Sequence, residues 1–347
     1  MPRRSSDRSR IFVSVAAFCD PMLAFTVRSA VAAARHPDRL AFGVVDQSPA
    51  PVEAHLPTGA GRIAYLRVDP HQSRGACWAR ALAMSLYAGE DCFLQVDSHT
   101  AFDSGWDVAL TDALAAISDR TGNARTVLST RPFAFDIGED GAVRVNRFTG
   151  NTLTLRPKAT TLRLSDPVMA FGCHDSGTTD DLPGVQVSAA YLFAPGSFVE
   201  EVPYDPYLYF HGEEQNLSIR AFTRGWDIWH PNATPLHHLY KTRAEGEAPL
   251  HWDPQFEQRR AEAWTDLRGR AHRRLADLIA GQLSGAWGLG AARSIDDYLR
   301  ASGLTLDGAA PLAPSTRAGG APGVPARAAA EAGLPRRLAI THGRPHP

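Results

Sequence analysis

Four short apolar runs in the first hundred residues constrain the fold more than any other feature of the chain. They are IFVSVAA (11–17), LAFGVVD (40–46), IAYLRV (63–68) and FLQV (93–96). Helical patterns lie between them. Leu23, Val27, Ala30, Val31 and Ala34 form an apolar stripe over residues 22–36, with Pro21 at its entry. Residues 75–88 are Ala-rich and read the same way, whereas 47–61 is a Pro-rich loop. Strands that alternate with helices predict an α/β fold, with a mostly parallel sheet and helices on its faces.

The fourth run stops abruptly in Asp97-Ser98-His99. Open α/β sheets bind ligands just outside the carboxyl ends of their strands. A carboxylate and an imidazole two residues apart on extended backbone can enter one pocket, and such a pair suits a divalent ion such as Mn²⁺. The plainer reading of an isolated Asp-x-His is a strand that ends in a polar turn. The surroundings favour the chemical one. Arg74-Gly75 opens the helix that leads into this strand, and Arg80 follows within it. Arginine makes fixed, bidentate contacts to phosphate oxygens. Arg74 sits on the ligand side of the sheet, while Arg80 reads equally well as a solvated helix residue.

The remainder continues the pattern with more β character. Residues 106–117 read as a helix and 125–130 as a strand. Residues 143–145 and 152–155 look like short antiparallel strands, and 168–171 and 187–193 extend the β reading around a polar loop, 173–181. Residues 212–224 return to helix with Gly225 as its cap. Residues 227–230 and 236–240 read as strands, 255–283 as one long charged helix, and 294–300 as a short helix capped by Ser294. From 307 onward Ala, Gly and Pro dominate. Such a segment buries too little apolar surface to offset the cost of ordering, so 307–347 reads as a disordered tail. The expected organisation is a flexible start (1–10) and a single domain over 11–303. Within it, 11–130, 131–243 and a set of C-terminal helices over 250–303 follow one another.

Two later clusters carry chemistry. Glu213 and Glu214 follow Gly212 at a helix start, where the dipole favours ionised carboxylates. They read as an acidic first turn or as a holder of sugar hydroxyls. His237 and His238 are adjacent on a strand and must point to opposite faces, so only one can join Asp97 and His99. The wider composition is that of a soluble globular protein, with 44% hydrophobic and 21% charged residues. A net charge of −1 gives no basic footprint for nucleic acid. No apolar run is long enough to span a bilayer. Cys19, Cys77, Cys92 and Cys173 lack metal-ribbon spacing, and with no convincing signal peptide a cytoplasmic location is expected.

Five segments in order, IFVSVAAFCDP, RGACWARALAMSLYAGEDCFLQVDSH, YFHGEEQNLSIRAFTRGWDIWHP, HHLY and RSIDDYLRASG, resemble metal-dependent glycosyltransferases of the GT-A fold. The likeness spans residues 11 to about 303. It is nearest to the cytoplasmic N-acetylglucosaminyltransferases that modify hydroxyproline on a ubiquitin-ligase subunit, with their bacterial relatives. It is more distant to the polypeptide N-acetylgalactosaminyltransferases. The resemblance implies transfer of a sugar from UDP-GlcNAc to an acceptor hydroxyl with retention of configuration, using Mn²⁺ or Mg²⁺. It makes 11–130 a nucleotide-binding half and 131–243 an acceptor and catalytic half. It implies Asp97, His99 and His238 as metal ligands, with Asp97, Glu213 and Glu214 at the chemistry and Glu213 beside the donor sugar. The donor would rest against Ser14, Ala16, Phe18, Asp46, Arg74, Arg80, Ser98 and Tyr240. The acceptor stays open between protein, peptide and glycan.

Two other functions share this pocket. A sugar-nucleotide hydrolase or phosphodiesterase would use water as acceptor. A non-catalytic nucleotide-sugar binding module would have lost its catalytic groups, against which stand the intact Asp97, His99 and His238. A dehydrogenase is excluded because no G-x-G-x-x-G follows the first strand.

Overall fold

In the computed structural model of the protein, residues 9–240 and 249–307 are described. Most of the expected flexible start, the expected tail beyond Asp307, and Lys241, Thr242 and Arg243 lie outside them. In chain order the first half holds β1 (Ile11–Phe18), α1 (Leu23–Ala33), β2 (Leu40–Gln47), β3 (Arg62–Arg67), α2 (Ala76–Met84), β4 (Cys92–Asp97), β5 (Thr100–Phe102), α3 (Trp106–Thr121), β6 (Thr126–Leu128), β7 (Phe133–Ile137) and β8 (Val143–Asn146). The second half adds β9 (Leu153–Pro157), β10 (Thr161–Arg163), β11 (Phe171–Asp175), β12 (Leu182–Gly184), β13 (Tyr191–Pro195), α4 (Ser197–Glu201), α5 (Glu213–Thr223), β14 (Asp227–His230), β15 (Leu236–His238), α6 (Pro254–Glu257), α7 (Trp264–Ile279), α8 (Ile295–Ser302) and β16 (Thr305–Asp307).

Eight strands form the central sheet in the order β12-β14-β6-β13-β4-β1-β2-β3. The pairs among β1, β2, β3 and β4 are parallel, as is β14 with β6, while β13 and β12 run against their neighbours. The four runs read from sequence are thus the contiguous block β4-β1-β2-β3. They are largely apolar because helices cover both faces of this block. Phe12, Phe42, Phe93, Val13 and Val44 are fully buried. Each such side chain contributes about 1.5–3 kcal/mol. Gly43 lets α2 lie close to the sheet, since a Cβ there would sit 2.4 Å from Phe12 and 2.9 Å from the Ala83 carbonyl oxygen.

A second sheet, β5-β15-β7-β8, stands against the end of the first. Asp97 is the last residue of β4 and Thr100 the first of β5, so two residues carry the chain from one sheet to the other. This junction positions the site.

Several expectations change. Residues 255–283 are not one helix but α6 and α7, broken where the Glu257 carboxylate accepts from the Trp264 backbone N–H (3.2 Å) and stands in for the missing turn. Residues 168–170 are not strand, because Gln215 of α5 pins them: its side chain accepts from Met169 N and donates to the Pro167 carbonyl. The strand there is β11, which takes the first part of the expected polar loop into pairing with β9. Residues 187–190 are likewise loop, with their N–H groups drawn to Ser218, Ser129 and Glu214. Ordered chain continues past 303 into β16, which pairs with β10.

Candidate active site

Asp97, His99 and His238 come together at the junction between the two sheets. Their ligand atoms all lie within 4.8 Å of one another. His238 Nε2 is 2.9 Å from Asp97 Oδ2 and 3.0 Å from His99 Nε2. The register of β15 produces this. His238 stands opposite Thr100 and His237 opposite Ala101, and the Leu239 N–H donates to the His99 carbonyl at 3.0 Å. Strand alternation sends His237 to the other face, where it meets Asp103 at 2.8 Å.

Sequence reading missed a fourth member, Asp20. Its Oδ2 lies 2.6 Å from His99 Nδ1 and accepts from Ser98 Oγ at 2.7 Å. A carboxylate on Nδ1 fixes that nitrogen as the donor and leaves Nε2 as a ligand atom, the usual support of a metal-bound imidazole. The signal lay in the FCDP end of the first run. Cys19 adopts φ +48°, the single positive φ among described non-glycine residues, where β1 turns away to aim Asp20 at the group. One carboxylate oxygen and two imidazole nitrogens, one of them oriented by a second carboxylate, fit a divalent cation. Burial pushes the Asp97 carboxyl up, but the His238 contact and the Arg80 charge outweigh it and hold it ionised, below the usual carboxylate range.

Arg80 is not a solvated helix residue. It is 4% exposed. Its guanidinium donates to Asp97 Oδ1, and its Nε lies 3.8 Å from Glu213 Oε2. It braces the carboxylates from beneath. Glu213 is also buried and accepts from Cys77 Sγ at 3.3 Å. Burial raises its pKa against the opposing pull of Arg80. Glu214 is the more exposed of the pair, held through one oxygen by the Ala189 N–H at 2.7 Å. Burial pushes its carboxyl from 4.5 up to about 7.

These groups line a cleft of about 740 Å³. Of the residues expected there, Ala16, Phe18, Arg80, Asp97, Ser98, His99, Glu213, Glu214, His238 and Tyr240 do line it. Three do not. Ser14 is fully buried within the sheet. Asp46 is buried too, and its carboxylate accepts from the Tyr65 hydroxyl and the Val52 N–H. Asp46 alternates with the cleft-lining Gln47 on β2 and so faces away, whereas Ser14 shares the face of Ala16 and Phe18 but lies further down β1, below the cleft. Arg74 lines a different cavity. The Ser98 hydroxyl is committed to Asp20, and the Tyr240 hydroxyl donates to the Pro132 carbonyl at 2.9 Å, so both act as supports within the wall. Arg131, unnoticed in the sequence, is exposed on that wall, with its guanidinium 4.7 Å from the Tyr240 ring. His251 and Trp252 close another side. His251 packs against Phe18 and Tyr209, and burial pushes its pKa down to about 3, so its ring is neutral.

The sequence model of the family described as Glycosyltransferase (GlcNAc) matches residues 55–307. The chain belongs to this family. A search of curated proteins returns no match. Among solved structures, GalNAc-T7 crystallised with UDP, GalNAc and Mn²⁺ aligns over 84% of this chain and 56% of that one, with a TM-score of 0.53 and 14% identity. The chain therefore spans about half the length of that structure. TarS 1–349 of S. aureus in complex with UDP-GlcNAc aligns over 69% of this chain and 60% of that one, at TM-score 0.40 and 17% identity. The architecture is the GT-A fold expected from the sequence.

Proposed function

We propose that the protein is a metal-dependent glycosyltransferase that moves a sugar, GlcNAc, from UDP-GlcNAc to an acceptor hydroxyl with retention of configuration. The observation that carries this is the convergence of Asp97, His99 and His238, 139 and 141 residues apart in the two long-range contacts, inside a cleft of about 740 Å³. That volume suits a nucleotide sugar. Membership of the Glycosyltransferase (GlcNAc) family supports the reading.

A divalent ion held by the three residues would offset the charge that develops on the departing diphosphate. The chain's own groups do the rest. Asp20 fixes the His99 ring, and Arg80 keeps Asp97 ionised and in place. Arg131 presents a cation to the phosphates from the Tyr240 wall. Glu213 was the carboxylate expected beside the sugar, but the geometry favours Glu214. Glu213 is turned to Cys77 and Arg80, whereas Glu214 keeps one oxygen without a hydrogen bond among the described residues. Neither carboxylate is placed as an evident nucleophile. The acceptor hydroxyl therefore attacks from the face the diphosphate leaves, with a leaving-phosphate oxygen taking its proton.

The test is calorimetric titration of UDP with and without Mn²⁺, followed by turnover of UDP-GlcNAc and UDP-GalNAc with a panel of hydroxyl acceptors. Metal-dependent UDP binding and acceptor-dependent turnover are expected. Turnover that no acceptor accelerates would make the protein a sugar-nucleotide hydrolase.

A further inference from the structure

A second cavity, of about 410 Å³, lies behind one wall of the cleft. Gly75 and Tyr209 form that wall in close contact: a Cβ on Gly75 would sit 2.3 Å from the Tyr209 carbonyl oxygen, and φ is +102° there. Chain neighbours divide between the two spaces. Gly75 and Phe210 line the cleft, while Arg74 and Tyr209 line the second cavity. The cavities are thus about one residue apart, and a few extended residues, at about 3.3–3.6 Å each, would reach from one to the other.

The lining is cationic and aromatic. Arg74, Arg270, Arg273 and Arg274 face two carboxylates, Glu262 and Asp277. Arg270 pairs with Glu262 at 2.8 Å, and Arg274 with the buried Asp205 at 2.6 Å. Arg273 is exposed and has no acidic partner among the described residues. The Arg274 guanidinium is held over the Tyr207 ring at 4.9 Å and the Trp287 ring at 5.5 Å, which presents it as a fixed plane. Trp78 is 6% exposed, and its indole N–H has no acceptor among the described residues. A buried indole donor normally finds a partner. An arginine excess beside an unpartnered donor asks for an oxyanion. The aromatic walls, and the repulsion that Glu262 and Asp277 would exert on dense phosphate, favour carboxylates on aliphatic stems.

We propose that this cavity binds an acidic segment of a polypeptide acceptor, a run of Glu or Asp close to the hydroxyl that enters the cleft. The role in acceptor choice rests on the function proposed above, but the binding does not. Fluorescein-labelled octaglutamate supplies a direct probe by fluorescence anisotropy, with tripolyphosphate as the competing source of oxyanions. The wild type should bind the peptide, and the Arg270→Glu/Arg273→Glu double variant should bind it about tenfold or more weakly. Trp78→Phe should weaken binding to a smaller degree. Arg270→Gln/Arg273→Gln, with its melting temperature checked, covers the case in which charge reversal disturbs folding. In transfer assays, Thr peptides flanked by Glu should outperform those flanked by Lys, and the double variant should lose that preference in KM with donor turnover in the absence of acceptor unchanged. No octaglutamate binding, binding indifferent to both double variants, or binding of tripolyphosphate alone would overturn the proposal. Peptide binding without any sugar turnover would count against the proposed function and leave the cavity's ligand standing.

Discussion

The cleft and the second cavity share a wall but have opposite chemistry. The cleft gathers carboxylates and imidazoles, Asp20, Asp97, His99, Glu213, Glu214 and His238, fitted to a cation. The cavity behind it gathers arginines, fitted to anions. Arg74 belongs to the second although its neighbour Gly75 belongs to the first. The difference teaches that a position on the ligand side of the sheet does not assign a residue to a ligand. The assignment depends on which side of a one-residue wall the side chain falls.

The sharpest way to break the comparison is to remove the ligands of the proposed cation. Asp97→Asn and His99→Ala should each abolish Mn²⁺-dependent UDP binding in calorimetry and leave octaglutamate binding as it was. Loss of both bindings would mean that the two spaces form one site. Metal-dependent UDP binding that survives in both variants would remove the proposed ion from the cleft.

Glu214→Gln comes next. It should lower turnover by ~10²-fold, the range that positioned catalytic groups supply, with UDP–Mn²⁺ affinity little changed. Glu213→Gln should cost less, because Glu213 reaches the chemistry through Arg80. The reverse order, read from kcat of both variants, would return Glu213 to the place beside the sugar.

Asp20→Asn keeps the shape of its side chain and removes the charge behind His99. Metal affinity should fall by about 10- to 100-fold, measured by Mn²⁺ titration. An unchanged affinity would reduce Asp20 to a turn residue that happens to touch Ser98 and His99.

A smaller effect concerns stability. Glu214 loses its proton near 4.5 when unfolded and near 7 when folded. Between those values the folded state holds more protons, so stability declines as pH rises through that window and is level above it. The melting temperature of the wild type should therefore fall by a few degrees relative to Glu214→Gln between pH 4.5 and 7. Parallel melting curves for the two proteins would show that the carboxyl titrates normally. The smallest effect is expected from ending the chain after Gly308. This keeps β16 and should leave the melting temperature and UDP binding unchanged. A large drop would show that the Ala/Gly/Pro-rich segment stabilises the domain.

The sequence by itself determined the parallel block and one half of the metal-type site. Continuous apolar runs such as IFVSVAA satisfy a strand buried on both faces and little else, and Asp97 and His99 are bound to be neighbours by two residues of backbone. Strand alternation also foretold that His237 and His238 must part. Only the tertiary structure decided which of them meets Asp97, because that choice is the register of β15 against β5. It likewise decided that Ser14 and Asp46 lie outside the cleft, that Arg80 braces Asp97 from beneath, and that residues 187–190 are loop, their N–H groups claimed by side chains from α5 and from Ser129. Local sequence encodes the period of a strand and the reach of a few bonds. Contacts across 79 residues, as between Asp20 and His99, or 139, as between His99 and His238, exist only once packing has set which elements are adjacent.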